Sequence, residues 1–219
     1  METVLQDPGL VENDSDGMSC FLACTQMVMR SRNGAAVPSF DELGKIIRRK
    51  TGEYSWEYAM LSYLSHHGFH VKYITTFDVE RLYKEKEKYL YEYLGAEAAQ
   101  DQIVNSNMSA VYEDAKTFAG ELSDVVRDVR VPTCDDIKQL LSDGYYLIPY
   151  VNQKILQSND GYAAHMIVLY GYSDRGVRIH NPGPPPTRAS EIAWDLFVRA
   201  WSSPSEAARI LMAVKPNLS

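Results

Sequence analysis

Cysteine is scarce and odd in number: Cys20, Cys24 and Cys134 are the only three in 219 residues. That count excludes a disulfide framework and suits a reducing compartment, so a cytoplasmic setting is expected. Cys20 and Cys24 would lie one turn apart on a helix, a poor geometry for a bridge. No apolar run is long enough to cross a bilayer, so no membrane role is expected. The opening METVLQDPGLVENDSDG lacks the basic and apolar regions of a secretory signal. Positive charge is also short: 22 Lys and Arg face 29 Asp and Glu, for a net charge of −7. Phosphate contacts need clustered cations, so nucleic-acid binding is not expected. There is no internal repeat, which excludes solenoids and propellers.

What is present is an ordinary globular composition, 45% hydrophobic and 23% charged, enough to bury a core in one domain spanning 1–219. Residues 1–16 read as an irregular arm. Ser19 is placed to cap a helix from Cys20 to Arg32, closed by Asn33-Gly34. Phe21 to Met29 is apolar nearly all round, so this helix belongs in the interior. Helices follow at Ser39–Arg49 and Trp56–His66, then a strand at Phe69–Thr75. Residues 78–128 are strongly helical in propensity and read as an insertion, with a last helix over Met108–Arg127. Five tyrosines between Tyr73 and Tyr93 serve packing or line a groove.

The second half reads as sheet. A helix at Asp135–Asp143, capped by Thr133, leads into a strand at Tyr145–Val151. Pro149 lacks a ladder donor, which places it at that strand's end or at an edge. Ala163–Tyr172 is a continuous apolar strand; SDRG turns it into Val177–His180. Ser190 is placed to cap a helix running to Trp201, and Arg209–Lys215 closes as a strand. The class is α+β: a helical first half with a buried central helix, an antiparallel sheet in the second half and a helical insertion.

The chemistry gathers in three residues. Cys20 opens the buried helix, where helix amides and an imidazole would lower a thiol pKa. His165 on the apolar strand is the candidate proton acceptor. Asn181 shares the face of Val177 and Ile179 at period two and is placed to orient the ring through an N–H. His180 should point the other way and be exposed. His66, His67 and His70 match no ligand spacing, so no metal and no cofactor is expected. Cys24 and Cys134 read as small buried hydrophobes.

Three segments, CFLACTQMV from Cys20, LLSDGYYLIPYV from Leu140 and HMIVLYGYSDRGVRIHNP from His165, resemble the C39-like cysteine peptidases, a branch of the papain-like fold. Residues 78–128 lie outside the resemblance. It implies a papain-like fold, with Cys20 as nucleophile, His165 as general base and Asn181 as the orienting residue. Asn181 stands where the family usually has Asp. The family's oxyanion donor, a Gln about six residues before the nucleophile, falls on Asp14, whose carboxylate would repel an oxyanion. Asn13 and Gln6 are the substitute candidates. Phe21 replaces a small residue, and Phe21 and Trp201 are candidate walls of a substrate pocket. The resemblance implies a thiol hydrolase acting on a peptide or other amide. Acyl transfer to an amine through the same cysteine, and an inactive peptide-binding module, are the alternatives. The sequence sets no oligomeric state.

Overall fold

Two apolar faces alternate along the central strands, and that alternation decides the architecture. In β4 (Tyr146–Asn152) Tyr146 and Ile148 face one core while Leu147 and Val151 face another. In β9 (Ile210–Pro216) Met212 and Val214 join the first core, Leu211 and Ala213 the second. A strand apolar on both faces must be covered on both. The computed structural model describes residues 2–32, 36–120 and 124–217. The sheet that it shows has helices on both sides.

The remaining strands are β1 (Thr3–Val4), β2 (Phe69–Thr75), β3 (Val126–Asp128), β5 (Ala164–Met166), β6 (Val168–Tyr172), β7 (Gly176–Asn181) and β8 (Thr187–Ala193). Their order is β3-β2-β9-β4-β6-β7-β8, with β1 added beside β6 and β5 beside β4. Every pairing is antiparallel except β2 with β3. The sheet is thus not confined to the second half, because β2 and β3 come from the half read as helical.

On one face lies α1 (Cys20–Arg30), buried from Phe21 through Met29, with α2 (Phe40–Ile46) and α3 (Tyr58–His66) beside it. The insertion adds α4 (Val79–Glu85), α5 (Glu87–Leu94), α6 (Ala96–Val104) and α7 (Met108–Ala119) to that side. Its aromatics pack on one another: Phe77 meets Tyr89 at 5.0 Å and Tyr93 at 4.8 Å. Tyr73 meets Phe118 at 5.6 Å. On the other face α8 (Cys134–Ser142) and α10 (Trp194–Trp201) cover Leu147, Ile179 and Leu211. The short α9 (Gln153–Leu156) follows β4.

Local chemistry explains most boundaries. Ser39 with Glu42, and Thr133 with Asp136, close capping boxes at α2 and α8. Four expectations need correction. The helix expected over Met108–Arg127 stops at Ala119, and Val126–Asp128 is strand. Apart from these four, the Asn33-Gly34 stop lies outside the described residues. Thr187–Ala193, including Ser190, pairs with β7 as strand, so α10 starts only at Trp194. Pro149 is interior: it pairs with Leu211 of β9. On its other side it falls between Leu147, which pairs with Leu169, and Tyr150, which pairs with Met166. That is the break at Ile167 between β5 and β6, where no ladder donor is required. The strand expected over Ala163–Tyr172 is therefore two strands.

Trp201, expected as a pocket wall, is 1% exposed. It stacks on Phe197 at 5.5 Å and donates its Nε1–H to the Ile210 carbonyl at 3.2 Å, so substrate does not reach it. Trp201→Ala should cost about 3–5 kcal/mol in urea unfolding, as large aromatic truncations in cores do. The reactivity of Cys20 towards iodoacetamide should stay unchanged, and a loss of that reactivity in the folded variant would return Trp201 to the site.

Candidate active site

The antiparallel hairpin β6–β7 brings His165 and Asn181 together from 16 positions apart. His165 Nε2 lies 2.8 Å from Asn181 Oδ1. The same Oδ1 accepts the Gly183 N–H at 2.8 Å. A backbone N–H can only donate, so that atom is the amide oxygen, and the ring must donate from Nε2. His165 is then held in the tautomer that leaves Nδ1 as its basic nitrogen. The Gly183 turn needs glycine: φ is +82°, and a Cβ would stand 2.3 Å from the Pro186 nitrogen.

Cys20 is the first residue of α1 and is part-exposed. The backbone N–H groups of Met166, Phe21 and Cys20 itself lie near enough to its sulfur to favour the thiolate. Met166 follows His165 directly on β5, so the strand that carries the imidazole also touches the thiol. Burial pushes the Cys20 pKa above its usual value, and those three N–H groups with the Arg49 charge pull only partly against it. Burial likewise lowers His165 below 6.5, opposed by its bond to Asn181. Both shifts favour neutral thiol and neutral imidazole at rest.

Ser19 precedes α1, but its hydroxyl makes no cap to the helix. It donates to Asp16 at 3.3 Å and accepts from Arg49 Nη1 at 3.2 Å. The cap position is instead tied through its backbone, since Ser19 N–H donates to Asn13 Oδ1 at 2.8 Å.

The oxyanion candidates fare differently from expectation. Both amide hydrogens of Asn13 are committed, to the carbonyls of Gly17 and Gly183 at 3.0 Å each. Its backbone N–H donates to Pro182 at 2.8 Å. Asn13 is a brace between the Cys20 helix and the Asn181 turn, and it has no hydrogen left for a substrate oxygen. Gln6 is exposed on the arm, where its carbonyl accepts the Tyr146 hydroxyl at 2.9 Å. Asp14 is exposed and turns back onto the Ser15 N–H at 2.6 Å. Phe21, expected to wall a pocket, is 1% exposed in the first core.

His180 was expected exposed and is fully buried. It stacks on Tyr170 at 4.9 Å, lies 2.6 Å from Asp7 Oδ1 through Nε2, and accepts the Ala189 N–H at Nδ1. The arm explains the difference, since Leu5 N–H reaches the Tyr170 carbonyl and Asp7 covers the ring. Sequence reasoning also missed Glu57, 2% exposed, which accepts the hydroxyls of Tyr73 at 2.5 Å and Tyr150 at 3.1 Å. Burial raises its pKa. Tyr150 is a neighbour of Cys20, whose charge it would feel. Among the described residues, no cluster of three His, Cys, Asp or Glu is arranged for a metal ion, and no helix is long and apolar enough to cross a membrane.

Asn13→Ala removes three side-chain hydrogen bonds and leaves the Ser19 N–H and Gly183 carbonyl unpaired. It should lower unfolding stability by about 1–3 kcal/mol, and a change below about 0.5 kcal/mol in denaturant melts would show that the brace carries nothing. The pH dependence of His165 follows from its lowered pKa. The unfolded ring binds a proton more readily than the folded one, so this contribution to stability is intact above 6.5 and is lost as pH falls through the lower folded value. The urea midpoint of the native protein should drop below pH 6.5 more steeply than that of His165→Gln; parallel curves would remove the assignment.

No family model matches the chain, and no curated protein matches it either. Among solved structures it is similar to the peptidase domain of Streptococcus ComA, a bifunctional ABC transporter of a quorum-sensing pathway. The identity is 12% and the TM-score 0.49, over 94% of this chain and 97% of that one. At those values the likeness carries no residue-level meaning.

Proposed function

We propose that the chain is a thiol-dependent hydrolase of peptide or other amide bonds, with Cys20 as nucleophile, His165 as general base and acid, and Asn181 as the residue that orients the ring. The observation that supports this is the oriented His165–Asn181 pair, with His165 on the strand whose next residue brings its N–H beside the Cys20 sulfur. A helix-borne thiol, a strand-borne imidazole and a carboxamide behind it match the roles of a papain-like site.

The chemistry follows from the neutral resting pair. As the sulfur attacks the substrate carbonyl carbon, its proton passes to His165 Nδ1. The Cys20 N–H at the helix mouth is the donor that this reading assigns to the oxygen that gains charge. Nδ1–H then protonates the leaving amine, the C–N bond breaks and a thioester remains on Cys20. Water gives a proton to Nδ1, attacks the thioester and releases the acid, and the thiol is restored. Through each step Nε2–H stays on Asn181.

The test is turnover of peptide amides and acyl thioesters, with a free amine offered in competition. Cys20→Ala should abolish product. His165→Ala should lower the rate by roughly 10²–10⁴-fold, the usual worth of a positioned proton carrier, and Asn181→Ala by less. Free acid supports the hydrolase, and amide product assigns acyl transfer instead. Full turnover in Cys20→Ala would refute both.

A further inference from the structure

Next to the nucleophile stands a buried ion pair that the reaction above does not use. Arg49 and Asp16 meet at 2.6 Å with side chains only 7% and 11% exposed. Arg49 also donates to the Glu53 carbonyl at 2.5 Å and to the Ser19 hydroxyl at 3.2 Å. Asp16 accepts in addition the N–H groups of Met18 and Gly52, at 2.8 and 3.1 Å. The cluster therefore grips both residues that lead into α1. We propose that Arg49 is a positioning residue for Cys20: fixed against Ser19 at the helix mouth, its charge favours ionisation of the Cys20 sulfur, with the departing proton going to His165 Nδ1. This rests on the reading of Cys20 as the nucleophile.

The charge balance around the sulfur supports it. Burial opposes a thiolate at Cys20, and the neighbouring Cys24 on α1 stays a neutral buried thiol. From β4 comes the Tyr150 hydroxyl, which is bound to the Glu57 carboxyl of the turn before α3 and stays neutral because burial pushes its pKa well up, so it brings no positive charge to the sulfur. From β5 comes His165, neutral at rest because it is buried. Against these stand the helix-mouth N–H groups and the Met166 N–H, which are partial charges. Arg49 contributes the full positive charge that draws the thiol pKa down. Its partner limits the effect: Asp16 is held ionised, since its N–H partners and Arg49 outweigh the burial that opposes them. A simple tie for the 13–19 loop would need no charge, because an amide can bridge the same carbonyl and hydroxyl.

Two substitutions with opposite signs separate charge from scaffolding. The measurement is the pH profile of Cys20 alkylation by iodoacetamide, resolved from Cys24 and Cys134 by peptide mass spectrometry. Arg49→Gln should move the profile to higher pH and slow alkylation at pH 7 by roughly three- to tenfold, as expected for losing one partly paired charge at this depth. Asp16→Asn keeps an oxygen for the Met18 N–H, gives up the one that the Gly52 N–H and Arg49 share, and leaves the Arg49 charge unpaired. It should move the profile to lower pH and speed alkylation by a similar factor. Arg49→Lys should restore most of the native profile. Unchanged profiles, or both variants shifting in the same direction, would overturn the proposal. If Arg49→Gln fails to fold, Asp16→Asn and Arg49→Lys still decide it. Alkylation needs no substrate, so an electrostatic response without amide turnover would retain this inference and reject the hydrolase, whereas turnover with inert profiles would do the reverse.

Discussion

One carboxamide joins the two halves of the site. Asn13 receives the N–H of Ser19, which fixes the entrance of α1, and donates to Gly183, which follows the turn that holds Asn181. Gly183 in turn donates to Asn181, and Asn181 accepts from His165. The residues at the two ends of this relay, Cys20 and His165, are 145 positions apart in sequence. Each link is a bond to a defined atom, so a displacement of the arm passes to the imidazole rather than fading in a loop. A buried amide left without partners costs about 1–3 kcal/mol, so the arrangement has few cheap alternatives. The arm at residues 1–16 is therefore part of the scaffold. It pairs as β1 with β6, covers His180 with Asp7 and supplies the brace.

The sheet determines where this relay is needed. Pro149 lies opposite the interruption between β5 and β6, so β5 pairs with β4 apart from the main ladder. That short strand puts Met166 into the first core and its N–H beside Cys20. His165, one position earlier, is held by Asn181 of β7. A continuous β5–β6 strand would keep His165 in the main ladder; the break frees the segment to meet the helix mouth.

Much of this was legible in the sequence wherever the signal was local or periodic. The helix from Cys20, the capping boxes, the SDRG hairpin and the partnership of His165 with Asn181 all follow from spacing and side-chain chemistry. The failures share a different cause. Capping chemistry is local and points Ser190 to a helix, whereas its state is set by pairing with Ile179 across the β7–β8 register. The alternation of its own strand points His180 outward, but the arm that covers it comes from 173 positions away. Asn13 has the donor chemistry of an oxyanion ligand, and only the positions of Gly17 and Gly183 reveal that its hydrogens are taken. Arg49 and Glu57 carried no signal, because a charged residue is buried by its partners, and those partners are remote in sequence.

The charge pattern of the site also accounts for the neutral Asn181. A carboxylate there would stabilise the imidazolium and leave His165 cationic near neutral pH, pairing it with thiolate at rest. A carboxamide orients the ring without that bias, and burial keeps both partners uncharged. In the proposed reaction the proton would then move only when the sulfur attacks, and charge would have to be created at a poorly solvated thiol. Charge formed late in a low-dielectric site depends on donors already in place, and here those are the amides at the mouth of α1 and the guanidinium locked beside Ser19. On the proposed reading, an uncharged orienting residue and a buried cation beside the helix mouth are two parts of one electrostatic arrangement: the first would remove charge from the base, and the second would supply it where the sulfur needs it.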